Sequence, residues 1–454
     1  MAVIDGAGLK IAFDWESAEG VKAEELRATW ARLEVRIGHD VVTQLEDPSS
    51  GSVRRAVYLP LYPLAEWVAY NWWFLRSDVR PGYLPAGRWS FRSREGLNRQ
   101  SSNWLLHHNF RAIGEGFTWP DLTIIPGSRV TTVAWNADLG TDSRGRPRFL
   151  STGVAELEDV TVRAALTSLV DAVLVRLDQF GISNTPLQEE WQGLRAMARD
   201  EVEFCEAAAR LGLDPLAVPD STADLIVTAG AQLESPLLDD FLGAADAAQL
   251  GEDLAWIAAS SELVRSSSVR TDPVPVVANN TEASQRPWEV GQSDALAMRA
   301  LLDLEPDRRV EPARWVAAER VTRVDRELSG LGGRSSADAA VLAIADSLSP
   351  EASRFAQARA LWRFSVAGQS SDRFLVTTAR LPTQQSERAF AAEFLAPTEG
   401  IRGRLSGDPD GPVELDELVA ISNHFGVNQR VIEYQIINHI GRSVDDPLVG
   451  RSID

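Results

Sequence analysis

One cysteine and two lysines stand in 454 residues, and each scarcity excludes something. A lone thiol, Cys205, leaves no internal disulfide framework and no multi-thiolate zinc site. Its setting, EVEFCEAAARLGL, has the three-and-four spacing of a helix, which suits a buried structural thiol better than a nucleophile. Lys10 and Lys22 are the only lysines, so almost all positive charge is arginine. With abundant Ala, this usage hints at GC-rich coding and a bacterial source. The formal net charge of −20 makes the average surface repulsive to phosphate and disfavours nucleic-acid binding as the main role. MAVIDGAGLKIAFDWESAEG has no basic lead before an apolar run, and no later stretch is long and apolar enough to span a bilayer. The expectation is a cytoplasmic protein without membrane contact.

Several chemical signatures are missing too. There is no glycine-rich phosphate loop, no Gly-x-Ser-x-Gly elbow and no internal repeat. The five histidines are His39, His107, His108, His424 and His439, and no two stand four apart on a helix. A two-histidine zinc helix is therefore excluded, and adjacent His107 and His108 converge poorly on one metal.

What is present divides unevenly along the chain. The length exceeds what one core usually serves, so two or three domains are expected. The pattern predicts an α+β fold in these parts: a Trp-rich α+β domain at 1–155, a helical domain at 156–265, a linker at 266–287 and a C-terminal domain at 288–454. The first part holds Trp15, Trp30, Trp67, Trp72, Trp73, Trp89, Trp104, Trp119 and Trp135 among strand-like runs such as RVTTVAWNA. Trp67, Trp72 and Trp73 lie on PLAEWVAYNWWFL, where they fill a core or floor a pocket; His107, His108 and Asp121 are the polar groups that would serve chemistry there. The linker, RSSSVRTDPVPVVANNTEASQRP, loses periodicity and gains Ser, Pro and Asn. Beyond it come a strand at 339–345 (AAVLAIA), a helix through RFAQARALWRF, a short extended FLVTT, a helix at SERAFAAEFLAP and a closing helix pair in LVAISNHFGVNQRVIEYQI.

That succession, over roughly residues 290 to 445, resembles the peptidase domain of the ImmA/IrrE family of bacterial metallo-endopeptidases, most specifically in RAFAAEFLAP. EFCEAAARLGLDP also resembles a segment upstream in some members. The resemblance implies a zincin-like fold whose helix carries His-Glu-x-x-His, two zinc ligands and a general base. Arg354, Phe355, Ala358 and Leu361 match the family frame, but the ligand positions hold Arg359 and Arg363 and the base position holds Ala360. A guanidinium stays protonated and offers zinc no lone pair, and alanine moves no proton. The family's third ligand is an acid near Gln384 and Gln385, with Glu387 the nearest acid here and Glu393 further on.

The sequence thus predicts a pseudo-peptidase with no cofactor and no metal, a regulatory or sensing protein in a stress, mobile-element or phage-defence setting that binds a protein or peptide partner. Arg359 and Arg363 either take the place of the metal's charge, facing Glu387 or Glu393 across a groove edged by strand 339–345, or sit in water on a solvated face. Phe355, Leu361, Phe390 and Leu395 are expected in the core. Two other readings stay open: an enzyme with its chemistry in the N-terminal domain or at a non-standard metal site, and a DNA-binding regulator using the helix-turn-helix rhythm around Gly426.

Overall fold

Alternating apolar residues over Leu9–Trp15 and Trp30–Ile37 fold as paired strands, burying Ile11, Phe13, Leu33 and Val35 on one sheet. The structure is a computed structural model that describes residues 2–6, 8–47, 50–79, 90–91, 99–127, 130–138, 147–277, 286–322, 327–366, 373–379, 381–406 and 411–445. Trp89 and the linker residues 278–285 lie outside them. The chain is mixed α+β and forms two compact units, Met1–Asp220 and Ser221–Asp454. The helices expected as one middle domain are therefore shared between the units. Among the described residues no helix is long and apolar enough to cross a membrane.

In the first unit, β1 (Ala2–Gly6), β2 (Leu9–Trp15), β3 (Trp30–Ile37) and β4 (Asp40–Val41) pair antiparallel in that order. β5 (Leu45–Asp47) and β6 (Ser52–Arg54) join a small sheet with β10 (Arg148–Phe149), and β7 (Val57–Pro60) pairs with β3. The third sheet runs β11-β9-β8, from β8 (Asp121–Ile125), β9 (Val130–Asn136) and β11 (Gly153–Glu158). The helices are α1 (Glu24–Ala28), α2 (Tyr62–Tyr70), α3 (Trp72–Ser77), α4 (Arg99–His108), α5 (Asp159–Gln179), α6 (Pro186–Ala196) and α7 (Arg199–Arg210). α5 presents Val162, Leu166, Leu169, Val173 and Leu177 to the core at helical spacing. Each such buried side chain contributes roughly 1.5–3 kcal/mol.

The second unit opens with α8 (Asp220–Gln232), α9 (Leu237–Ala244), α10 (Leu250–Ser266) and α11 (Pro287–Leu301). Its sheet contains β12 (Ala317–Val321), β13 (Leu328–Arg334), β14 (Ala340–Ala345) and β15 (Arg373–Thr377) in the order β12-β14-β13-β15. β12 runs parallel to β14, and the other pairs are antiparallel. α12 (Pro350–Ser365) comes before β15, and α13 (Pro382–Leu395), α14 (Thr398–Arg402), α15 (Leu415–Phe425) and α16 (Gln429–Gln435) follow it.

Three expectations for this unit need correction. The strand expected at 339–345 as the edge of a groove is interior, with all six residues of β14 buried between β12 and β13. An unbroken apolar run is the pattern of a strand covered on both faces, whereas edge strands tolerate charge, as β12 does with Glu319 and Arg320. The stretch at 267–277, expected to belong to a linker, is tied to the body: Asp272 N–H donates to Arg314 O (2.9 Å) and Val277 N–H to Ser365 O (2.9 Å). Finally, Leu361, Phe390 and Leu395 are fully buried, but Phe355 is only half-buried. Its neighbour Arg354 takes the inward position, donating to Phe425 O (2.6 Å) and Gly426 O at the end of α15.

Candidate functional site

The candidate site is a buried polar cluster where α9, α12, α13 and β15 meet in the second unit. α12 starts where Ser349 caps it, accepting from Ala352 N–H (3.2 Å), with Pro350 in its first turn. One helical repeat separates Arg359 from Arg363, so both project from one face. α13 starts at Pro382 and turns Gln384 and Glu387 inward together.

Arg359 Nε donates to Glu387 Oε1 (2.9 Å), while its Nη2 serves Glu387 again, Gln384 Oε1 (2.6 Å) and Thr377 O (2.7 Å). Arg363 Nη2 donates to Asp240 Oδ2 (2.8 Å), its Nη1 lies 4.0 Å from Glu387 Oε2, and its guanidinium stacks 4.9 Å above the Phe374 ring. The side chains of Arg359 and Arg363 are 7% and 3% exposed, and those of Asp240 and Glu387 3% and 0%. The reading that placed the arginines in water is therefore excluded. Two guanidiniums and two carboxylates give the ionised cluster no net charge. Burial pushes both acids above the usual carboxylate range, with the arginines pulling them back.

The cluster also completes the sheet. Among the described residues β15 pairs with one strand, β13. On its other side Leu375 N–H donates to Asp240 Oδ2 (3.1 Å), Leu375 O accepts from Gln384 Nε2 (2.9 Å), Thr377 N–H donates to Gln384 Oε1 (3.2 Å) and Thr377 O accepts from Arg359. The amide of Gln384 thus mimics a neighbouring strand, and buried edge groups that would cost about 1–3 kcal/mol each if unmade are satisfied. Among the described residues, Arg363 Nε and Glu387 Oε2 of this cluster have no hydrogen-bond partner.

Of the positions singled out in sequence, Arg359, Arg363, Gln384 and Glu387 converge. Ala360 does not join them and is fully buried in apolar surroundings. Glu393 is not a partner of the arginines; it accepts from Thr398 N–H (3.0 Å), Thr398 Oγ1 (2.8 Å) and Gln435 Nε2 (2.8 Å), bracing α13 against its successors. Asp240 was missed. Its signal is slight, an acid inside the apolar run LLDDFLGA, where buried charge demands a partner. The donor set does not suit a divalent cation, because guanidiniums have no lone pair to give. Among the described residues no three His, Cys, Asp or Glu side chains come together as a metal cage.

The N-terminal candidates serve packing and separate partners. Trp67 donates to Leu106 O (3.2 Å) and meets Phe110 edge-on, Trp72 meets Trp191 edge-on, and Trp73 lies with Phe74 and Cys205. Burial pushes the Cys205 thiol up to about 11, which removes it as a nucleophile at neutral pH. His107 stacks on Phe74 at 4.0 Å with Nδ1 2.7 Å from Asn71 Oδ1, whereas His108 stacks on Trp104 with Nδ1 2.9 Å from Ile124 O. Asp121 accepts from Phe91 N–H (3.0 Å), Asn109 Nδ2 (2.7 Å) and Ser90 Oγ. Trp67 and His107 share Asn71, whose Nδ2 donates to Trp67 O (2.8 Å), while Asp121 keeps a separate set of partners. In the helix pair α15–α16, Asn428 caps α16 by accepting from Arg430 N–H (3.0 Å), and Ile421, Phe425, Val427 and Ile432 are core. No family model matches this chain, and no curated protein is similar to it.

Proposed function

We propose that residues 288–454 are a pseudo-peptidase domain of ImmA/IrrE type, zincin-like in frame, and that the chain regulates or senses by binding a protein or peptide partner and not by cutting it. One observation carries this reading: Arg359 and Arg363, at the two positions the resemblance assigns to zinc ligands, are buried and paired with Glu387 and Asp240. Two guanidiniums bring the formal charge of a divalent cation, so acids that would neutralise a metal are neutralised by arginine. The frame keeps its shape while the Lewis acid and the general base are gone.

Co-purification with the full chain from its native source tests the reading. A specific partner recovered intact and in stoichiometric amount supports it. A partner recovered as fragments, cut by the chain in a zinc-dependent way, contradicts it.

A further inference from the structure

In the first unit, β2 and β3 set their polar residues in rows, because residues paired across two strands share a face. The register puts Lys10 opposite Arg36, Ala12 opposite Glu34 and Asp14 opposite Arg32, while Ile11, Phe13, Leu33 and Val35 fill the core on the other face. Ala12 contributes only a methyl between Lys10 and Asp14 and leaves room there. A cleft of about 400 Å³ opens over these rows, and Arg55 joins its lining.

The cleft reverses the sign of the chain. Four cations, Lys10, Arg32, Arg36 and Arg55, line it against two acids, Asp14 and Glu34, in a protein with 45 basic and 65 acidic residues. Asp5 stands opposite Lys10 on β1, and counting it still leaves the cations ahead. As direct cross-strand partners, Lys10 and Arg36 repel each other. Glu34 is buried; it accepts from Arg36 Nε and lies 3.7 Å from Arg55 Nε, while Asp14 lies 3.6 Å from Arg32 Nη1. These acids hold the guanidiniums in place without neutralising the group. The side chains of Arg32, Arg36 and Arg55 stay between 37% and 56% exposed, so their N–H groups can be reached from water.

We propose that this cleft binds a phosphate dianion, free or as the monoester of a small molecule, with Lys10, Arg32, Arg36 and Arg55 supplying its counter-charge. Guanidiniums present paired donors that fit phosphate oxygens, and a concave site focuses their field. A single carboxylate would need only one of these cations. A nucleic-acid strand would need a track of them, on a chain whose net charge is −20. The cleft lies in the first unit, so its occupancy is independent of the non-cutting reading.

Isothermal titration of the full chain with inorganic phosphate, and separately with glucose 6-phosphate, tests the proposal at about 0.15 M salt. Phosphate should bind with a dissociation constant under about 1 mM. Lys10→Gln and Arg55→Gln should each weaken it by about tenfold, the loss of one charge-assisted contact, while Lys10→Arg keeps it. Tighter binding of glucose 6-phosphate assigns the cleft to an ester, and equal or tighter binding of inorganic phosphate assigns it to the free ion. Weaker binding by the native chain, or binding that both substitutions to Gln leave unchanged, overturns the proposal, as does duplex DNA that displaces phosphate. A second readout needs no substitution and decides the matter if circular dichroism shows the variants unfolded. Lys10 and exposed Lys22 are the only lysines, so acetylation followed by mass spectrometry reads one against the other. Saturating phosphate should slow acetylation of Lys10 at least about fivefold and leave Lys22 unchanged; equal slowing, or none, overturns the proposal.

Discussion

Arg363 lies between Asp240 at 2.8 Å and Glu387 at 4.0 Å and is closed off from water, so both acids offset the burial of its charge. Removing one member of a buried ion pair strands the other, at a cost of roughly 3–5 kcal/mol, whereas replacing both by apolar groups of similar volume is often close to neutral. Asp240→Ala should therefore lower unfolding free energy by about that amount in urea titrations, and the double change Asp240→Leu with Arg363→Met should recover part of it, the Leu375 N–H that Asp240 accepts staying unserved. A double variant as unstable as the single one would show that the pair stabilises in its own right. His107 makes a second residue-scale prediction. Burial beside Phe74 and its neighbour His108 hold the imidazole below its ordinary value. The unfolded chain then takes a proton near pH 6.5 that the folded chain refuses, so stability is full above that pH and falls as pH drops through it toward the lower folded value. Melting temperature followed from neutral pH to pH 5 should show that decline, and His107→Phe should flatten it.

Between elements, α11 packs closely on α13 through Gly291. A Cβ at Gly291 would stand 2.0 Å from Ser386 O, against backbone that cannot turn aside. Gly291→Ala should cost upward of about 2 kcal/mol by calorimetry, and a change near zero would mean that the helices do not meet as described. The helices of this unit were legible because their apolar residues recur at three and four, and four cluster members were legible because α12 and α13 each bring a pair to one face. Asp240 was not legible, because 123 residues separate it from Arg363 and its eight-residue helix is too short to show a period. The edge role given to strand 339–345 failed for a related reason: strand order is a tertiary property, and Gln384 and Asp240 close the actual edge at β15 with side chains that no strand pattern announces. Phe355 was misplaced because a helix buried around most of its circumference, as α12 is, does not offer a single inward face.

Across the whole molecule the formal charge is −20, yet the cluster between α9, α12, α13 and β15 gathers two arginines with two acids, an equal balance held in the core. We propose that this arrangement stands where the resemblance places a zinc ion. Metal analysis of the full chain by mass spectrometry, after purification with zinc in excess and exhaustive dialysis, tests it most directly. Well under about 0.1 zinc per chain and an unchanged melting curve in chelator are expected, because bound structural or catalytic metal would couple to folding. About one zinc per chain, removed by chelator together with a cleavage activity, would contradict it.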